Sequence, residues 1–245
     1  MITSVKNKRV KEWIKLHKRK YREKMGVFLI EGDHLIEEAY NTDQDFQALI
    51  LEEGKEDPGW LDDDYVFRVS KEVFQAISQT ENPQGIAAVL SRLNYEPKQH
   101  SYVLLLDSLQ DPGNLGSLIR TADAAGFSKV ILGKGTVDLY NAKVIRATQG
   151  SLFHIAIEEG NLEEEIEKLK EEGFTIWATS LQRAEDYRKV PPKEKTALIL
   201  GNEGRGVDPF LLDRADTRVK IPIYGQAESL NVAVAGGILM YYLRN

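Results

Sequence analysis

Apolar positions along this chain come in two patterns. Short, almost wholly apolar runs closed by Gly, Asp or Ser predict buried strands at 27–32, 46–53, 65–70, 85–93, 102–107, 129–133, 154–159, 174–180, 196–201 and 218–223. Between them, apolar residues recurring every three or four positions predict helices at 33–40, 71–77, 115–126, 142–148, 162–173, 209–214 and 230–243, with Asp33 placed to cap the first. An earlier basic segment carries Trp13, Ile14 and Leu16, an apolar side that makes it a packed helix and not a loose tail.

From Tyr102 onward, strands alternate with amphipathic helices, the signature of a parallel sheet covered on both faces. The fold class is therefore α/β: a doubly wound C-terminal unit preceded by a smaller N-terminal α/β unit. The polar, Pro-containing stretch at 94–100 is the best linker, so the expected domains are 1–95 and 100–245. A length of 245 residues suits one large or two small domains.

Charge changes this picture. The formal net charge of −6 argues by itself against a nucleic-acid partner. Residues 1–24, however, hold ten Lys/Arg against Glu12 and Glu23, a local +8 that leaves −14 for the rest. A basic segment on an acidic body fits a polyanion contact, since neutralising phosphates releases counterions; a solvated basic helix would look the same. The absence of Cys removes disulfide scaffolds, thiolate zinc sites and cysteine nucleophiles and suits a reducing cytoplasm. The first twenty residues lack a signal peptide's apolar stretch, and no run approaches a bilayer span, so no membrane partner is expected.

Ligands of open α/β sheets bind outside the carboxyl ends of the strands, and three loops there are unusual. The first, 107–126, has Asp107, a turn of Asp111, Pro112, Gly113 and Asn114, and then a helix carrying Arg120. The second, 198–209, places glycines around Asn202 and Glu203, and in the third, 221–237, Ser229 and Asn231 stand at the mouth of an Ala/Gly-rich helix. Each alone reads equally as turn or cap chemistry. No G-x-G-x-x-G follows a strand, no P-loop occurs, and His17, His34, His100 and His154 are scattered, so dehydrogenase, P-loop and metal-hydrolase readings are poorly supported and no metal is expected.

Taken in order, D-x-x-x-D-P-G-N-L-G-x-x-x-R-T-A-x-A-x-G, L-x-L-G-N-E-G-x-G and I-P-x-x-G-x-x-E-S-L-N-V-A-V-A resemble the three motifs of the SpoU (TrmH-type) RNA 2′-O-ribose methyltransferases of the SPOUT superfamily, over about 102–243. The first 95 residues resemble, less sharply, an L30e-like substrate-binding module. The resemblance implies S-adenosylmethionine as cofactor, RNA as substrate (ribosomal favoured over transfer), a C-terminal trefoil knot and a homodimer. It places the cofactor against Leu132, Gly133, Gly201, Asn202, Ile221 and Leu230, and it implies catalytic roles for Asn114, Arg120, Glu203, Ser229 and Asn231.

In that chemistry a ribose hydroxyl attacks a sulfonium methyl, so alignment and help with deprotonation are what a protein supplies. Guanidinium is permanently protonated, which favours Arg120 as holder of a neighbouring phosphate and stabiliser of the developing alkoxide over Arg120 as base. Ser229 and Asn231 would orient the hydroxyl. Glu203 reads equally as a partner of Arg120 or Asn114 and as an acceptor for loop N–H groups. The closing helix has more apolar surface than one sheet face needs, which suits a dimer or plain core packing. Competing expectations are a transfer-RNA ribose methyltransferase, a base methyltransferase, and a catalytically silent RNA-binding ribosome-assembly factor.

Overall fold

The computed structural model describes residues 1–95 and 101–244; most of the expected 94–100 linker lies outside the described residues. The helices are α1 (Lys8–Lys15), α2 (Arg19–Met25), α3 (Asp33–Asn41), α4 (Lys71–Ile77), α5 (Pro112–Ala124), α6 (Ala142–Thr148), α7 (Leu162–Glu171), α8 (Pro209–Arg214) and α9 (Val232–Leu243). The strands are β1 (Val27–Glu31), β2 (Phe46–Glu52), β3 (Val66–Val69), β4 (Ile86–Ser91), β5 (Tyr102–Leu106), β6 (Lys129–Gly133), β7 (Ala156–Gly160), β8 (Thr175–Thr179), β9 (Glu185–Asp186), β10 (Thr196–Leu200) and β11 (Thr217–Lys220). They group into two compact units: Met1–Asn94 with Asp138–Phe153, and Tyr95–Val137 with His154–Asn245.

The first unit is built on a mixed sheet of order β1-β4-β2-β3, antiparallel except for β2 beside β3. Trp13, Leu16, Ile50, Phe74 and Val89 fill one side of it. The basic segment forms two helices, because Leu16 turns into the core and His17 Nε2 meets the carbonyl of Ile77 at 2.8 Å. Asp33 is the first residue of α3 and not its cap; Gly32 takes that place with φ 107°, and the Asp33 carboxylate pairs with Lys55. Arg22 is also turned inward, bonded to the Leu16 carbonyl and to Asp138, so one of the ten basic residues is structural.

The second unit carries a seven-stranded sheet of order β7-β6-β5-β10-β8-β11-β9, parallel throughout. Val103, Leu105, Ile131, Ile176 and Ile199 pack on one face with Ile166 and Leu169 of α7 and Leu211 of α8. On the other face, α9 lies so close that a Cβ on Gly236 would come within 2.4 Å of Leu118 in α5 and 2.8 Å of Leu200 in β10. The chain runs outward from β5 to β6 and β7, then returns on the other side with β10 next to β5. Strand direction of travel thus reverses between β5 and β10, the place where open α/β sheets form a crevice.

Candidate active site

The loop leaving β5 reaches its helix earlier than its sequence suggests. Asp111 caps α5 by accepting the Asn114 N–H at 2.8 Å, and Pro112 holds the first helical φ, so α5 starts at Pro112 and Asn114 sits in its first turn. After β10 the chain folds back on itself: Asn202 and Gly206 exchange backbone hydrogen bonds of 3.0 and 2.9 Å. A Cβ on Gly201 would stand 2.1 Å from the Gly206 carbonyl carbon and the Val207 nitrogen, so no other residue fits there. The loop leaving β11 has no regular structure until Asn231, whose Oδ1 caps α9 through Ala233 and Val234.

Side-chain hydrogen bonds tie these three loops together. Glu203 Oε2 accepts the Gln110 N–H at 3.1 Å, and Oε1 accepts the Asp111 N–H at 3.0 Å and the Asn114 amide at 3.1 Å. Asn114 Oδ1 in turn accepts the Asn231 amide at 2.9 Å. Asn202 donates to the Ser108 carbonyl at 2.8 Å, and Asp107 accepts the Asp208 N–H at 2.8 Å. Partial burial pushes the Glu203 carboxyl up, but donation from its own backbone and from Asn114, Asp111 and Gln110 outweighs this and holds its pKa below the ordinary 4.5. Glu203 therefore serves both as acceptor for loop N–H groups and as partner of Asn114, and it makes no bond to Arg120.

A cavity of about 790 Å³ opens beneath this junction. Asn114, Gly201, Asn202, Glu203, Ile221, Ser229, Leu230 and Asn231 line it, so these expected residues are brought together. Leu132 and Gly133 are not among the lining residues; both are buried, and Gly133 packs under Leu162. Arg120 lies further along α5, about 9 Å beyond Asn114 along the axis. It is exposed, with no hydrogen bond or ion pair among the described residues. The hydroxyl of Ser229 is likewise uncommitted.

Sequence reasoning missed the end of β8 and the loop after it, where Thr179, Ser180 and Gln182 also line the cavity. No motif marks it; only the position of β8 beside β10, a fact of topology, brings it there. Apolar walls of Leu200, Val219, Ile221 and Leu239 facing a few hydroxyl and amide groups, at this volume, form a site for an organic ligand with an apolar ring and a polar tail. Among the described residues no cluster of three His, Asp or Glu could hold a metal ion, and no helix is long and apolar enough to cross a membrane.

Known proteins place this geometry. Residues 101–241 match the SpoU rRNA Methylase family, and residues 7–88 match the MRM3-like substrate binding domain. The 23S rRNA (guanosine(2553)-2′-O)-methyltransferase RlmP of Bacillus subtilis is 46% identical over 99% of this chain and 98% of its own length. An AdoMet-bound rRNA methyltransferase from Sinorhizobium meliloti superposes with a TM-score of 0.88 at 32% identity, covering 99% of this chain and 96% of that one. A crystal structure of an RNA 2′-O ribose methyltransferase gives 0.82 at 32% identity over 99% and 97%. A parallel sheet whose three polar turns interlock over one cavity is here, then, the sheet of a SpoU rRNA methylase, and the chain belongs to that family.

Proposed function

We propose that this protein methylates the ribose 2′-hydroxyl of a guanosine in 23S ribosomal RNA, with S-adenosylmethionine as methyl donor. The observation that carries this reading is an end-to-end likeness, 46% over 99% of the chain, to a relative named for that reaction. The cavity suits the cofactor: Leu200, Val219, Ile221, Leu230 and Leu239 would hold an apolar ring, and Thr179, Ser180, Gln182 and Asn202 its polar parts. The bound cofactor supplies a methyl group on a sulfonium, whose positive charge is discharged when the methyl leaves.

The chain's own groups divide the remaining work. Glu203, Asn114 and Asn231 are committed to one another and to helix and loop N–H groups, so they fix the loops at the cavity wall. The free Arg120 guanidinium holds the phosphate beside the target ribose and stabilises the oxygen as its proton passes to water, and the free Ser229 hydroxyl orients that oxygen. The first unit holds the RNA, with Lys8, Lys11, Lys15, Lys20 and Lys24 exposed on its helices.

The working form is a cytoplasmic homodimer whose C-terminal chain is knotted. Val234, Ile238 and Tyr241, one face of α9, are 53%, 37% and 54% exposed and give a second copy an apolar surface to cover. Sedimentation is expected to give twice 27.7 kDa at micromolar concentration; a particle of 27.7 kDa rejects the dimer.

The functional test is labelled cofactor with total RNA from a strain lacking the gene, followed by digestion and mass analysis. Label in a 2′-O-methylguanosine of 23S RNA is the expected result. Label in transfer RNA or on a base moves the substrate, and cofactor affinity without label makes the protein a silent RNA-binding factor.

A further inference from the structure

Four carboxylates in the loops about the cavity are engaged by the protein itself. Asp107 takes the Ser108 hydroxyl and the Asp208 N–H, Asp111 the Asn114 N–H, Glu203 the donors named above, and Asp208 the Phe210 N–H. Glu228 is different. It lines the cavity beside Ser229, is exposed, and has no hydrogen bond or ion pair among the described residues. Tyr224, on the same loop, is 83% exposed. Its hydroxyl lies by the Arg188 guanidinium, which Asp186 grips through contacts of 2.6 and 3.0 Å, while most of the ring stands in solvent.

An exposed ring and a free carboxylate on one loop match the way unstacked RNA bases are read, by stacking on an aromatic side chain and by hydrogen bonds to the Watson–Crick edge. Guanine alone among the four bases offers adjacent N–H donors on that edge, at N1 and at the 2-amino group, and these match the oxygens of one carboxylate. Adenine, cytosine and uracil all place an acceptor where the second oxygen would lie. We propose that Glu228 reads the Watson–Crick edge of the target guanine while Tyr224 stacks on that base, so that the loop between β11 and α9 selects the nucleotide. This rests on the 2′-O-methylation reading above and adds which residues of the chain recognise the base.

The test compares RNA fragments carrying guanosine, inosine (which lacks the 2-amino group) or adenosine at the mapped position, with cofactor affinity measured separately by calorimetry. For the wild type, kcat/KM falls about 10- to 100-fold from guanosine to inosine, as expected for loss of a hydrogen bond to a charged group, and further on adenosine. Glu228→Gln loses about the same factor on guanosine, and its preference for guanosine over inosine shrinks to a few-fold. Tyr224→Ala raises KM for RNA about 10-fold, and Tyr224→Phe, which keeps the ring, recovers most of that loss. The proposal is overturned if the wild type uses guanosine and inosine alike, if Glu228→Gln slows both equally or loses cofactor affinity, or if Tyr224→Ala changes the sedimenting species. A wild type that methylates no RNA sinks the methyltransferase reading itself, whereas methylation without base preference leaves that reading standing and sinks only this one.

Discussion

On the helices of the first unit, Lys8, Lys11, Lys20 and Lys24 stand in solvent without an ion pair among the described residues, interchangeable charges on a surface that needs no fixed geometry. At the carboxyl edge of the second unit's sheet, Asp107, Asp111, Asn114, Asn202, Glu203 and Asn231 are each bound to a particular donor or acceptor, whereas Arg120, Arg205, Glu228 and Ser229 have no side-chain partner among the described residues. Repeated, exposed charge yields affinity that is additive and sensitive to salt. A hydrogen-bonded junction yields position, which is lost at a single step. Substitutions in the two regions should therefore differ in size and also in the kinetic constant they move.

The largest effect is expected at Arg120, a cation of the helix that Asn114 opens, with no side-chain partner among the described residues. Arg120→Ala should lower kcat by about 100- to 1,000-fold, the usual size for removing a preorganised charge stabiliser, while RNA affinity changes less than about 10-fold. Arg120→Lys keeps the charge and loses the planar fork, so it should recover only part of the rate. Single-turnover measurements at saturating RNA decide: near-wild-type turnover in the lysine variant would take Arg120 out of the chemistry and leave the committed groups as the whole of the site.

Glu203 comes next, because its removal frees several donors at once. Glu203→Gln retains the shape but loses the charge, and is expected to weaken cofactor binding about 10-fold and to lower stability by about 1 kcal/mol. The sign of its pH dependence follows from the carboxyl being held below the ordinary value of 4.5. Its contribution is complete above that value and is lost as pH falls through the lower folded value. Melting curves should thus show a gap between wild type and variant at pH 7 that closes on acidification below 4.5; a gap independent of pH would mean that the loops are held by packing and not by this carboxylate.

The sheet and the three turns were legible in the sequence because each is a local pattern. Runs such as TALIL and YVLLL have no polar face to expose and become central strands, and Asn202, Asn114 and Asn231 sit where strands or helices begin and end. What stayed hidden depended on partners distant in the chain. Residues 142–148 look like one more helical segment, yet just before them Tyr140 packs against Phe28 at 4.5 Å and Asp138 binds Arg22, so Asp138–Phe153 groups with the first unit. No periodicity shows which sheet an amphipathic segment will cover. The same holds for Thr179 and Ser180, which reach the cavity only because β8 pairs with β10. Gly32 outdid Asp33 as a helix start because Gln84 already supplies the acceptor for the Asp33 N–H, at 2.9 Å.

The smallest single effects belong to the basic helices, and they test the comparison from its other side. Lys8, Lys11 and Lys15 share the exposed side of α1, opposite the buried Val10 and Trp13, so replacing any one by Gln removes charge without touching the core. Each replacement should raise KM for RNA about 2- to 5-fold at moderate salt and leave kcat unchanged, since a phosphate contact made before and during the reaction lowers both states alike. Each should also reduce the slope of log affinity against log salt by about 0.7 to 0.9, and the triple variant by about the sum. Filter binding over a salt series measures this. A triple variant with the wild-type slope would mean that these lysines are only a solvated face, and the cations bearing the RNA would then have to be sought elsewhere on the protein.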